Sequence, residues 1–278
     1  MNISCNGNII DLSTPKVMGI LNLTPDSFFD GGKYSTLPQA LKQAEKMLSE
    51  GATFIDVGGA SSKPGAVEIS LEEELKRVLP IIEQLHINFP DAVISIDTYR
   101  SEVAKQAVAA GAQIVNDISA GNLDDKMLQT VGTLGVPYIA MHMQGTPQNM
   151  QKNPNYNDVL LSVRTFFSKK IAEAKRAGIH DIILDPGFGF GKSIDDNYTL
   201  LRHLDSLIID GTPLLVGVSR KSMIYKTLGL TADDALNGTT ALHSIALVKG
   251  AQLLRVHDVS PAMETIKLVN ALRGINTI

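Results

Sequence analysis

Residues 17–32 read VMGILNLTPDSFFDGG. The first five, Val17-Met18-Gly19-Ile20-Leu21, form an apolar run with the length of a strand buried on both faces, the kind found in parallel sheets covered by helices. The run stops at a polar amide, Asn22. Pro25 and the pair Gly31-Gly32 then exclude regular structure, so the chain enters a loop. Phe28 and Phe29 stand side by side in that loop and need a lid, a ligand or a partner to cover them. Helical periodicity follows over 38–50 and closes at Gly51. Strand, polar end, loop and helix make one unit, and this unit decides the fold because the chain repeats it.

Seven further strands are expected at 53–57, 92–96, 113–115, 137–141, 181–184, 213–218 and 252–254. Helical patterns lie between and after them at 70–86, 101–110, 124–134, 159–177, 196–207, 222–228, 233–249 and 262–272. Ser70 with Glu73 three residues on predicts a capping box for the first of these. Eight strand-then-helix units within ordinary barrel length predict a (β/α)8 TIM barrel of the α/β class, with its site at the carboxyl ends of the strands. A doubly wound open sheet is the competing fold, but no GxGxxG opens a helix after the first strand. Ahead of the barrel, ISCNGNIIDL carries Asn6-Gly7 between short alternating runs. This predicts a β-hairpin that plugs the bottom of the barrel. With no composition shift or linker, residues 1–278 are expected to form a single domain.

The composition excludes several function classes. Twenty-five basic against 29 acidic residues give a net charge of −4, which offers no basic footprint for nucleic acid. The one cysteine, Cys5, allows no internal disulfide and fits a reducing compartment. No apolar run is long enough to span a bilayer and no signal-peptide pattern opens the sequence, so a cytoplasmic protein without a membrane partner is expected.

The strand ends carry the chemistry. Asn22, the loop after Asp56, Asp97, Asn116, His142, Asp185, Ser219-Arg220-Lys221 and Arg255 with His257 all stand at or just beyond apolar runs. A strand often ends on Asp or Asn as a turn former, but a whole ring of polar ends converging on one mouth calls for a ligand. Asp97, Asn116 and Asp185 supply acceptors and an amide for a flat heterocycle rich in N–H donors, such as a pterin or a guanine-like ring. Lys221, Arg255 and His257, with Ser61 and Asn22, supply donors for phosphate. No Cys/His cluster has zinc spacing. Three Gly/Pro-rich loops, 24–32, 58–66 and 186–193, are expected to move and to present Phe28, Phe29, Phe188 and Phe190 to an aromatic substrate. The last contains GFGFGK, a weak phosphate-cradle signal that lacks the Walker spacing.

These residues fall into motifs. LNLTPDSFFDGG, DVGGASSKPGA, SIDTYR, NDISAG, MHMQGTP, LDPGFGFGK, VSRKS and RVHDV resemble, in order and spacing along essentially the whole chain, those of bacterial dihydropteroate synthases. The resemblance implies a transferase of folate biosynthesis that joins 6-hydroxymethyl-7,8-dihydropterin diphosphate to 4-aminobenzoate and releases diphosphate, and that sulfonamides inhibit. It implies that Asp97, Asn116, Met141, Asp185 and Lys221 bind the pterin. Asn22, Ser61, Ser62, Arg255 and His257 would hold the diphosphate, with Mg²⁺ on Asn22. Phe28, Lys63, Pro64, Phe190, Ser219 and Lys221 would frame the aminobenzoate. Asp97, Asp185, Lys221, Asp30 and Lys63 would serve the chemistry, and the chain would act as a homodimer. The second loop departs from the family's usual DIGGESTRPGA at Ala60, Ser62 and Lys63. Lys63 keeps the charge of the arginine but not its planar fork. Two other readings are a methyltransferase barrel acting on methyltetrahydrofolate and a corrinoid protein, and a non-catalytic pterin-binding relative. The VSRKS and RVHDV segments and the two early loops favour the synthase over the former.

Overall fold

The computed structural model of the chain describes residues 1–23, 36–61, 65–150 and 154–275. It opens with the expected hairpin, β1 (Asn2–Cys5) and β2 (Asn8–Asp11), antiparallel with Cys5 opposite Asn8. Asn6 and Gly7 take φ of 48° and 82°, the two positive values a type I′ turn requires.

Eight parallel strands follow: β3 (Lys16–Asn22), β4 (Phe54–Gly58), β5 (Val93–Asp97), β6 (Ile114–Asp117), β7 (Tyr138–Met141), β8 (Ile182–Asp185), β9 (Leu215–Val216) and β10 (Leu253–Val256). The helices between and after them are α1 (Thr36–Ser49), α2 (Leu71–Asn88), α3 (Ser101–Ala109), α4 (Met127–Leu134), α5 (Val159–Arg176), α6 (Ile194–Arg202), α7 (Ser222–Leu228), α8 (Leu236–Val248) and α9 (Val259–Leu272). The strands lie in the order β8-β7-β6-β5-β4-β3-β10-β9. The ends of this sheet meet at a parallel bridge, Leu184 to Leu214, where Leu184 N–H donates to the Pro213 carbonyl at 2.9 Å. The result is a (β/α)8 barrel with a seam between β8 and β9.

Alternation along the strands separates two apolar layers. Val17, Leu21, Ile55, Val57, Ile94, Ile96 and Val115 point outward into the main core shared with the helices. Each helix supplies a complementary stripe. In α2 the buried residues Glu74, Val78, Ile81, Ile82 and Leu85 recur at helical spacing. The inward residues nearest the amino ends of the strands make a closed plate, one from each: Met18, Phe54, Val93, Ile114, Ile139, Ile183, Leu215 and Leu253. Ile3, Cys5 and Leu12 of the hairpin segment pack onto this plate, and Ser4 N–H donates to Asp181 Oδ2 at 3.0 Å. The hairpin thus shuts the bottom of the barrel. Burial, with Asp181 nearby, pushes the Cys5 thiol up to about 12, which makes it a packing residue.

Two elements differ from their sequence patterns. The helix expected over 196–207 breaks at His203 into α6 and a 3-10 turn, Leu204–Leu207. The strand expected over 213–218 forms a ladder only at Leu215–Val216, with Leu214 adding an isolated bridge to Leu184. Pro213 has no N–H to give to a ladder, and Gly217 brings little β propensity, so neither end of the run holds a partner well.

Candidate active site

Two residues above the apolar plate, the inward position is polar on five of the eight strands. Asp56 of β4, Ser95 of β5, Asn116 of β6, Asp185 of β8 and Arg255 of β10 occupy that level, while Asn22 and Asp97 end β3 and β5. Because the pleat has a period of two, a strand that seals the bottom with an apolar side chain must present its next inward residue toward the mouth.

Arg255 knits this layer together. Its Nε donates to Asp56 Oδ2 at 2.6 Å and its Nη2 to Asp97 Oδ2 at 2.6 Å, while Asn116 Nδ2 donates to the same Asp56 oxygen at 3.0 Å. Burial works against the charge on Arg255, but the Asp56 and Asp97 carboxylates outweigh it and hold the guanidinium firmly protonated. Asp97 is pushed up by burial and by repulsion from Asp56, with Arg255 pulling the other way. Asp56 Oδ1 and Ser95 Oγ are buried and meet no hydrogen-bond partner among the described residues. Such groups are costly unless something else satisfies them.

The β8–β9 side of the mouth sets a carboxylate beside an ammonium. Asp185 accepts Gly187 N–H on Oδ1 at 2.7 Å, and burial raises its carboxyl against the pull of Lys221. Lys221 follows β9. Its Nζ donates to the Phe188 carbonyl and lies 4.7 Å from the centroid of the Phe190 ring. Burial lowers this ammonium to about 8, with Arg255 adding to the effect and Asp185 and Asp97 opposing it. The turn that carries it is braced. Arg220, at φ 52°, donates to both oxygens of Asp258 at 2.8 and 3.0 Å and to the Ala232 carbonyl at 3.1 Å. Ser219 Oγ accepts His257 N–H at 3.3 Å, tying the loops after β9 and β10 together. Asn22 and Asp97 lie on either side of Gly58, where an added Cβ would lie 3.4 and 3.6 Å from Asn22 Oδ1 and Asp97 Cβ.

The family model described as "Pterin binding enzyme" matches residues 18–257. The dihydropteroate synthase of Escherichia coli strain K12 is 45% identical over 273 residues, covering 98% of this chain and 96% of that protein. The chain belongs to the dihydropteroate synthase family. These enzymes are transferases, and solved members share the whole barrel. The Yersinia pestis dihydropteroate synthase in complex with a sulfonamide drug superposes with a TM-score of 0.93 at 45% identity, covering 99% of this chain and 100% of that one. The Xanthomonas albilineans dihydropteroate synthase in complex with 7,8-dihydropteroate gives 0.89 at 38% identity, with coverage of 99% and 100%.

Within this synthase barrel, Asn22, Asp97, Asn116, Asp185, Lys221 and Arg255 gather at one mouth, with Met141 buried at the end of β7 and Ser219 buried beside His257. Phe190 stays partly open beneath Lys221, and Ser61 lies in the second loop. Phe28, Asp30, Ser62, Lys63 and Pro64 lie outside the described residues. Two expectations are corrected. His142 leaves the mouth, because Met141 takes the inward position and the next residue must face outward. Its ring packs edge-on against Phe166 of α5 at 4.9 Å. Phe188 is fully buried in the core rather than offered to substrate. Two residues with central places escaped the sequence reading. Asp56 sits in mid-strand, so a search of strand ends passes over it, although a carboxylate inside FIDVG was itself a signal. Lys192 was read only as the end of a phosphate-cradle pattern.

Proposed function

We propose that this chain condenses 6-hydroxymethyl-7,8-dihydropterin diphosphate with 4-aminobenzoate to give 7,8-dihydropteroate and diphosphate. The observation that carries the reading is the mixed charge of the mouth: buried carboxylates and an amide on β5, β6 and β8, with the cations Lys221 and Arg255 among them. A pterin presents N–H donors to the first, and a diphosphate presents charge to the second.

Asp185, Asn116 and Asp97 hold the pterin edge, with Met141 beneath it and Lys221 at its rim. Asn22, Ser61, Ser62, Arg255 and His257 hold the diphosphate. Phe28, Lys63, Pro64, Phe190 and Ser219 frame the aminobenzoate. The bond from the pterin methylene to the diphosphate oxygen breaks first, and the electron pair leaves with diphosphate. The electron-rich ring delocalises the resulting cation, which Asp97, Asp185 and Asp30 stabilise electrostatically. The aniline nitrogen then forms the new C–N bond and gives up a proton to solvent. Arg255 and Lys63 stabilise the charge that develops on the leaving group.

Among the described residues no cluster of three or more His, Cys, Asp or Glu could enclose a metal ion. The donors present suit a cation that takes few protein ligands. Asn22 Oδ1 is a hard oxygen at the end of β3, of the kind Mg²⁺ accepts from a protein one or two at a time. Asn22 would hold that ion, and its charge would ease departure of the diphosphate.

No helix among the described residues is long and apolar enough to cross a membrane. We further read residues 1–278 as one cytoplasmic unit that works as a homodimer. Exposed Ile245 and Val248 of α8 and Leu268 and Leu272 of α9 support a pairing face along the late helices. Light scattering of the purified chain tests it. The reaction itself is tested by diphosphate release, which should require both substrates; release independent of 4-aminobenzoate would contradict the reading.

A further inference from the structure

The GFGFGK segment is not used as a phosphate cradle. Its lysine, Lys192, turns inward: the residue is 3% exposed, and its ammonium donates to the carbonyls of His142 at 3.1 Å, Gly187 at 3.0 Å and Phe190 at 3.0 Å. Three N–H donors meet three main-chain acceptors, so the group has nothing left for a ligand. Each of these partners is a neutral carbonyl. Such an ammonium is expensive to bury, and burial lowers it to about 7. A methionine would fill the same channel without that cost, so retention of a charge here points to a geometric task.

The loop around the ammonium has one workable shape. Gly187, Gly189 and Gly191 all take left-handed φ, 67°, 82° and 61°. A Cβ at Gly187 would fall 2.0 Å from the His142 carbonyl oxygen, and one at Gly191 would fall 2.3 Å from that of Gln144. The alternation turns carbonyls toward Lys192 and leaves other groups of the same loop facing the mouth. Gly187 N–H orients Asp185, the Phe188 carbonyl accepts from Lys221, and the Phe190 ring lies under the Lys221 ammonium. Asn197 of α6 closes the outer side by accepting Gly189 N–H at 2.7 Å.

We propose that Lys192 is a positioning residue of the site: its ammonium, caged by three carbonyls, holds the 186–192 loop so that Asp185 and Lys221 face the ligand together. This rests on the pterin reading above. Lys192 hydrogen-bonds neither group, although its charge is felt at Asp185. One is reached through the Gly187 amide and the other through Phe188 and Phe190. The cage also ties the segment just after β7 to the loop after β8, because His142 follows Met141.

The test is a double-mutant cycle on the full chain, read by calorimetry with pterin diphosphate and by thermal midpoint. The parent must first bind the pterin and turn over; if it does neither, the pterin reading fails before Lys192 is in question. Lys192→Met should remain folded and bind the pterin about tenfold more weakly or worse, since two ligand-facing groups lose their orientation. In a Lys221→Ala background the same change should cost distinctly less, because one of its two routes is already gone. Lys192→Arg, which keeps the charge, should recover part of the loss. Parent-like affinity in Lys192→Met overturns the proposal. So do independent, multiplicative effects of the two substitutions, which would make Lys192 a general prop. If Lys192→Met does not fold, the cycle is read on Lys192→Gln, which keeps an amide donor for the cage, with the same outcomes deciding.

Discussion

Asp185 shows how much one side chain carries. Its carboxylate ends β8, is oriented by the Gly187 amide, and sits where burial raises it toward protonation. Replacing it with alanine would leave buried donors of the pterin unpaired, so Asp185→Ala should weaken pterin-diphosphate binding by roughly 2–5 kcal/mol in calorimetry. The pH dependence of the same binding follows from the signs of the shifts. Asp97 and Asp185 are both raised, so their charge is present at high pH and lost on acidification sooner than for ordinary carboxylates. Lys221 is lowered to about 8, so its charge is present below that pH and lost above it. Affinity should therefore peak around neutrality and fall on both sides. Lys221→Arg should extend the alkaline side, and a titration with an unmoved alkaline limb would remove Lys221 from the diphosphate's field. Much of this was legible in the sequence, because a polar residue ending an apolar strand is visible without coordinates. Asp56 was less so, and His142 misled, since the direction of a side chain depends on register and a shift of one residue reverses it.

At the scale of elements, the hairpin and most helices could be read directly. Asn6-Gly7 names its turn type, and the Ser70 hydroxyl accepts Glu73 N–H at 3.1 Å as the cap of α2, half of the capping box expected there; the full box forms instead at Ser193 and Asp196 of α6. Close approaches between elements were not legible, because they depend on where two helices cross. Gly132 lies inside α4, where helix propensity alone would favour alanine by up to about 1 kcal/mol. A Cβ there would fall 1.8 Å from the carbonyl oxygen of Ala177, the residue that ends α5, so the two helices meet because the side chain is missing. The contact should win. Gly132→Ala is expected to destabilise the fold by about 1–3 kcal/mol in urea titration, with pterin affinity preserved in the folded fraction. A stabilised variant would show that propensity governs the site.

At the scale of the whole molecule, acid should loosen the barrel through histidines that fold in the neutral state. His243 of α8 is 1% exposed, neither ring nitrogen meets a hydrogen-bond partner among the described residues, and burial lowers it to about 4. Below the ordinary histidine range the unfolded chain takes up a proton that the folded chain refuses, so stability falls between about pH 6.5 and pH 4 by up to roughly 1.4 kcal/mol per pH unit for this residue. His243→Leu should lessen the drop in thermal midpoint from pH 7.5 to pH 5, and an unchanged drop would assign the acid sensitivity elsewhere. The seam between β8 and β9 has a different consequence. Strands that share one bridge are the weakest part of the barrel's circumference, and Asp185 and Lys221 stand on its two lips. A pterin gripped by both becomes a clasp, standing in for the ladder rungs that the short β9 cannot form. Its binding should tighten the hoop as well as fill the mouth. Amide exchange at Leu184 should then slow more on ligand addition than exchange at Ile55, whose strand is fully laddered on both sides.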